Sequence, residues 1–424
     1  MKLSQFLITG AAFAALAGQT WADQTVNITG SSAFRAAIVK AILASYSGTA
    51  KVAYTGSSLS GGNQQLFSGT IAGLSGITYI RTSWNGSVEG VSALAGTVTT
   101  QYIPTTATVT NANPGNNPPD GGTAYASTLQ TATPVMALSD VYQISTPVSD
   151  PTYNDDQVGV VPFKWVANEG ATVTNMTTQL ANALLGNGNL QLSQFTGNSA
   201  DATKKVFLTG RYNGSGTRAS ALAEVGYGVF NQVHQYAVAK TAVNGTITGL
   251  QIWPSGTTPT IAGVTGGVND SVVANGGYNS GGDVRDVIGC TMSGTVTLFN
   301  SSGTATTTVS GSNTQVIGYL GLTDSASGNA AGHIDLNYNG YSYSAANVQN
   351  GTYTFWGYEH LLYDTLTTAE DTVRTAIEAN ISAALTFLGN GTAGTVNSPG
   401  LPLDSMTIGG TTIQRGTDGG LVGP

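Results

Sequence analysis

The chain has a single cysteine, Cys290, in 424 residues, so it can form no disulfide within itself. Packing must hold it together, and Cys290 reads as a small buried apolar residue. Charge is also scarce. Asp, Glu, Lys and Arg make up 8% of the sequence, against about a quarter in an ordinary soluble domain. Fourteen basic residues against 22 acidic ones leave a net charge of −8, which excludes the basic surface that nucleic acid requires. His234, His333 and His360 lie far apart and share no metal-ligand spacing, so no metal site is expected. No Walker lysine follows a glycine-rich loop, and the dinucleotide glycine spacing is missing. No Gly-x-Ser-x-Gly elbow accompanies Glu359-His360. Neither a cofactor nor a catalytic residue is indicated.

Thr, Ser, Asn and Gly take the place of charge, while hydrophobic residues hold 40%. That is enough for a core, and it points to weakly charged β-rich structure rather than disorder. The length suits two lobes. Residues 1–22 read as an export signal: Lys2, the apolar "FLITGAAFAALAG", then Thr20-Trp21-Ala22 as a small-x-Ala cleavage site. The apolar run is too short and too rich in Ala and Gly to span a membrane. The expected location is the periplasm or the cell exterior.

"QTVNITG" (24–30) reads as a strand, and 31–46 as a helix with Phe34, Ile38 and Ile42 in helical spacing and Ser31 or Ser32 as N-cap. A second strand follows at 51–56 and a second helix start at 62–71. This alternation is that of an α/β sheet. Residues 97–133 read as a β-hairpin-like excursion and 133–142 as a strand ending in Ser-Asp. Residues 157–168 form a β-run interrupted by Pro162, where the chain is expected to leave the first lobe. Helices are expected at 175–186 and 190–195. The strand, Gly/Ser loop and long helix of 204–233 repeat the opening pattern. Residues 241–315 form a Thr/Gly-rich β insertion, and 353–363 lead into a helix over 367–388. The C-terminal 409–424 are expected to be loose.

Three junctions share one chemistry: "TGSSAF" (29–34), "GSSLSGG" (56–62) and "RYNGSGTR" (211–218). Each offers bare backbone N–H groups and hydroxyls before an expected helix start, which suits an oxyanion. One such junction is an ordinary turn. Three in one chain, one of them carrying Arg211 and Arg218, point to a pocket.

The ordered set "ITGSSAF", "YTGSSLSGG", "ALSD" and "RYNGSGT", with "VIGYLGL" and "YTFWGYEHLL" after it, resembles the phosphate-binding proteins of ABC transport systems. The resemblance implies an α/β, two-lobed periplasmic-binding-protein-like fold with a hinge, here carrying β-rich Thr/Gly insertions. Lobe one would comprise 23–155 and 350–424, and lobe two 156–349. It further implies a non-enzymatic monomer that hands inorganic phosphate or a similar oxyanion to the membrane subunits of an ABC transporter, or reports it as a sensor. The ligand shell it implies falls on Ala33 and Phe34, Ser58 or Ser60, Asp140, Arg211, Ser215, Gly216 and Thr217. Two departures stand out. Ala33 occupies a threonine position, unless Ser32 replaces that hydroxyl, and Asn213 stands where the family has an acid. In chemical terms Arg211 would supply a bidentate fork. Asp140, able only to accept, would favour an anion that keeps a proton over sulfate. The alternatives are a surface or matrix protein of the same fold without a ligand, and an exported hydrolase.

Overall fold

The computed structural model describes residues 22–326, 332–392, 398–408 and 410–423. The export signal read in residues 1–22 lies outside these, except for Ala22. Among the described residues no helix is long and apolar enough to cross a membrane.

The first third alternates strand and helix: β1 (Gln24–Gly30), α1 (Arg35–Ser45), β2 (Lys51–Tyr54), β3 (Gln64–Gly69), β4 (Thr78–Ser83) and α2 (Ser87–Leu94). Then come β5 (Met136–Ser139), the 14-residue β6 (Asn154–Ala167), α3 (Thr178–Asn187), β7 (Lys205–Leu208) and α4 (Gly216–Glu224). The last are α5 (Gly281–Ile288), β8 (Thr314–Gly321), β9 (Trp356–Tyr363) and α6 (Thr368–Leu388). One mixed sheet runs β7-β8-β6-β9-β5-β1-β4-β3-β2, extended at both ends by short strands. The chain is a two-lobed α/β fold. In one lobe β4, β1 and β5 run parallel; in the other β7 and β8 do. The long antiparallel strands β6 and β9 join them.

Burial of apolar side chains sets this arrangement. Ile38 and Ile42 of α1 meet Val373, Ile377 and Ile381 of α6 in one core, each worth about 1.5–3 kcal/mol against exposure. α6 starts on a capping box between Thr367 and Glu370 and carries Glu370 and Asp371 in its first turn. Residues 241–315 contribute a four-stranded sheet with Tyr236–Lys240 and a second core around Trp253, Tyr278 and Ile288. Cys290 is buried there. Residues 97–133 pair back on themselves, Thr100–Tyr102 against Gln130–Ala132.

Several expectations fail for definable reasons. Residues 64–69 form strand β3, pairing antiparallel with β2 and β4, not a helix. Leu66 and Phe67 are both 0% exposed because opposite faces of that strand are covered. α1 begins after Phe34, with no side-chain cap from Ser31 or Ser32. Pro162 does not interrupt β6. The strand pairs with β9 up to Pro162 and with β8 from Phe163, so the missing N–H falls where partners change. Within 190–195 only Ser193–Thr196 begins a helix, and α4 stops at Glu224 instead of running to 233. The 241–315 segment contains α5 as well as strands. The described C-terminal residues are not loose. Arg415, 5% exposed, pairs with Glu224 at 3.0 Å and donates to the Trp356 carbonyl at 2.8 Å, while Asp418 accepts from the Tyr142 amide. Removing one partner of such a buried pair costs about 3–5 kcal/mol.

Candidate anion site at the lobe seam

The carboxyl ends of the parallel strands β1 and β5 meet the start of α4 at the seam between the lobes, the crevice where open α/β sheets place ligands. Asp140 leaves the end of β5 and is 1% exposed. Its carboxylate accepts from the hydroxyl of Ser87, the first residue of α2. It also lies against Gly216, the first residue of α4: a Cβ there would stand 1.5 Å from Asp140 Oδ1 and 2.3 Å from Ser87 Oγ. Glycine is thus a steric requirement at 216. Burial pushes the Asp140 carboxyl up to about 6, against the Ser87 hydrogen bond and the Arg211 charge, which pull it down.

Arg211 is 3% exposed. Its Nε and Nη2 donate to the carbonyls of Tyr278 and Asn279 at 3.3 and 3.0 Å, and no described carboxylate pairs with it. Two backbone acceptors therefore aim the guanidinium; no carboxylate is bonded to it, and the Asp140 and Asp283 charges act on it from nearby. Asn213 does not orient it, as the departure from the family pattern had suggested. Its amide turns outward to Asp270 at 2.9 Å. Ser215 caps α4 through its hydroxyl, accepting from the Arg218 amide, and Thr217 is 4% exposed in the first turn. Asp140, Arg211, Ser215, Gly216 and Thr217 therefore come together in the closed seam.

The other candidates sit apart from them. Ser32, Ala33, Ser58 and Ser60 line an interlobe pocket of about 500 Å³ together with Arg35, Arg285 and Asp324. Ala33 approaches the opposite lobe at Gly321. Ser60 donates to the Pro119 carbonyl at 2.8 Å, and Ser58 accepts from the Gly61 amide at 3.2 Å, so both hydroxyls are engaged by loop backbone. No helix follows that loop, which removes the dipole expected there. The Phe34 ring is 0% exposed and packs where Gly159 and Gly400 make room. Only its backbone could face a ligand.

Arg35 connects the two groups. It donates to the Gly62 carbonyl and Asn63 Oδ1 at 3.3 and 3.1 Å. Burial lowers its affinity for its proton, Asp324 opposes that, and Arg211 adds to it. Two guanidiniums therefore face one region. Sequence reasoning missed Arg35, Ser87 and Glu359. Arg35 directly follows Phe34 in a chain poor in cations. Ser87 follows Asn85-Gly86 at a helix start. Glu359 is a lone acid in the otherwise uncharged "FWGYEHLLY". Across the seam, Tyr212 donates to the Asn85 carbonyl and to Glu89, the latter at 2.5 Å, and the Glu89 amide donates to the Gly214 carbonyl at 3.2 Å. Among the described residues no group of three or more His, Cys, Asp or Glu could hold a metal.

No family model matches the chain, and no curated protein does. Solved structures do resemble it. One is an ABC-type phosphate transport receptor from Vibrio cholerae, 13% identical, covering 86% of this chain and 97% of that one at a TM-score of 0.43. PstS from Borrelia burgdorferi is 14% identical, with 88% and 99% covered at 0.38. A phosphate-binding protein from Stenotrophomonas maltophilia is 12% identical, with 86% and 83% covered at 0.38. These scores are too low to carry a ligand or a residue's role across.

Proposed function

We propose that this protein is an exported, non-enzymatic solute-binding protein. It captures a tetrahedral oxyanion, inorganic phosphate first among candidates, between lobes 23–155 with 350–424 and 156–349. It works as a monomer that delivers the anion to ABC transporter membrane subunits or reports it as a sensor. The observation that supports this is Arg211, buried, held by two backbone carbonyls, unpaired, and beside Asp140 and the start of α4. A buried guanidinium with no carboxylate bonded to it keeps donors free for an anion, which would bind it by charge-assisted hydrogen bonds. For an anion to reach it, the Asp140–Gly216 contact must open, and contacts from both lobes then favour reclosure.

Calorimetric titration with phosphate and sulfate tests this. Wild type binds phosphate more tightly, and Asp140→Asn lowers phosphate affinity and narrows its lead over sulfate. Equal discrimination in the two proteins removes the role of Asp140. A second reading, a surface or matrix protein of this fold without a ligand, is favoured by one observation: the Asp140 carboxylate itself fills the start of α4. Melting with added phosphate separates the two. A binder gains about 2.7 kcal/mol at a hundred times Kd, and a scaffold gains nothing.

A further inference from the structure

Beside Asp140 lies a set of buried polar atoms whose nearest protein partners are one another. Ser31 follows β1, Glu359 is in β9, and both are 0% exposed. Ser31 Oγ and both Glu359 carboxylate oxygens make no well-formed hydrogen bond. The β5–β9 register that sets Ser139 opposite His360 carries on to bring Asp140 beside Glu359. The Ser31 amide donates to the Leu138 carbonyl at 2.8 Å, which holds Ser31 at the same strand ends. Buried polar atoms are nearly always satisfied in folded proteins, so such a cluster calls for a further group.

The surrounding charges are accounted for. Asp140 lies next to Glu359 and opposes its ionisation, while the Ser31 hydroxyl favours it. Arg211 acts on Asp140. His360 is held by Asp155 at 2.7 Å, with Asp418 near it, and Arg415 is engaged by Glu224. No described cation pairs with Glu359. Arg211 offsets one charge, on Asp140, and nothing offsets a second on Glu359, so the two adjacent buried carboxyls cannot both ionise cheaply and the pair retains a proton.

We propose that Glu359 carries that proton and donates its hydrogen bond to the captured oxyanion, so that capture is proton-linked. This rests on the oxyanion reading and sharpens it. Ionised Asp140 accepts from a protonated ligand oxygen, and neutral Glu359 donates to an unprotonated one. Together they select a tetrahedral anion presenting both kinds of oxygen. A fully deprotonated anion satisfies Glu359 and is repelled by Asp140.

The test is calorimetry with inorganic phosphate and with sulfate at pH 6 and pH 8, in buffers of different ionisation heat. Wild type, Glu359→Gln and Glu359→Ala are compared. The phosphate ion's own titration is common to all three and cancels. Wild type is expected to take up more protons on binding at pH 8 than Glu359→Gln. It should also lose more affinity between the two pH values than Glu359→Gln does, because a pair ionised at the higher pH must regain its proton before it can donate to the anion. Glu359→Ala, lacking the donor, loses about tenfold for both anions at pH 6. Independently of any variant, the infrared spectrum of wild type should show a protonated carboxyl band that shifts when phosphate is added. Binding with equal proton uptake in wild type and Glu359→Gln, or with no shift of that band, overturns the donation and leaves the oxyanion reading standing. A wild type that binds neither anion overturns both.

Discussion

The loops 55–63 and 211–217 are built from the same small residues and end differently. The first turns into strand β3 at the rim of an open pocket, with Ser58 bonded inside the loop and Ser60 tied to Pro119 of another loop. The second starts α4 in the closed seam, with an unpaired guanidinium and a carboxylate against its first glycine. Glycine and serine thus mark places where backbone is accessible. Whether that backbone carries the field of a helix depends on the element the loop leads into, and only α4 has that field with Arg211 beside it.

The largest expected effect separates the two loops by affinity. Arg211→Gln should weaken phosphate binding about a hundredfold or more, as loss of a buried charge contact does. Ser60→Ala should change it less than about threefold, because that hydroxyl is spent on Pro119. Titration calorimetry reads both, and similar losses would erase the distinction.

Next come the glycines. Gly216→Ala drives a methyl into Asp140 and Ser87 and should cost at least about 1–3 kcal/mol in thermal or urea unfolding. Gly61→Ala meets only Ser58 Oγ at the exposed rim, where moving aside gives up one hydrogen bond from the Gly61 amide, and should cost no more than about 1 kcal/mol. A Gly61→Ala variant as damaged as Gly216→Ala would mean the rim loop is as tightly built as the seam.

A pH series probes the seam alone. Burial raises the Asp140 carboxyl from 3.8 to about 6, so the folded protein holds that proton more tightly than the unfolded chain does. The resulting stabilisation is complete below about pH 4 and is lost as pH rises through 6, a change of about 2–3 kcal/mol. Asp140→Asn should flatten the unfolding free energy across that window. An unchanged slope would show that Asp140 is not buried as described. The smallest effect is expected from Asn213→Asp. It faces Asp270 at the surface, so it should cost under about 1 kcal/mol and leave phosphate affinity within about twofold. A large gain in affinity would mean that Arg211 is oriented from position 213 after all.

Much of this was legible in the residues. The alternation of strands and helices, the α6 start at Thr367 and the insertions follow from periodicity, caps and turn residues; the small-residue loop pointed to Arg211 and 215–217, and Asp140 entered only through the resemblance to phosphate-binding proteins. The misread segments share one cause. "GNQQLF" carries no decisive local preference, and becomes β3 because β2 and β4 offer pairing edges on either side of it. The C-terminal Gly/Thr stretch has no periodicity, and is held by a buried Arg415–Glu224 pair separated by 191 positions. Glu359 entered the sequence reading only beside His360, as a pair with no nucleophile elbow, since nothing local tells that its neighbour across the strands is another carboxyl.

The sequence by itself determined the class of molecule: no disulfide, no basic surface, two α/β lobes, and hydroxyl- and glycine-rich turns fit for an anion. Those properties depend on composition and on contacts a few residues long. The tertiary structure alone decided which turns converge, that Arg211 is aimed by backbone carbonyls rather than by an acid, and that Asp140 and Glu359 are buried side by side. Each of these joins residues far apart in the chain, and burial and field at such points are set by packing, which no local pattern encodes.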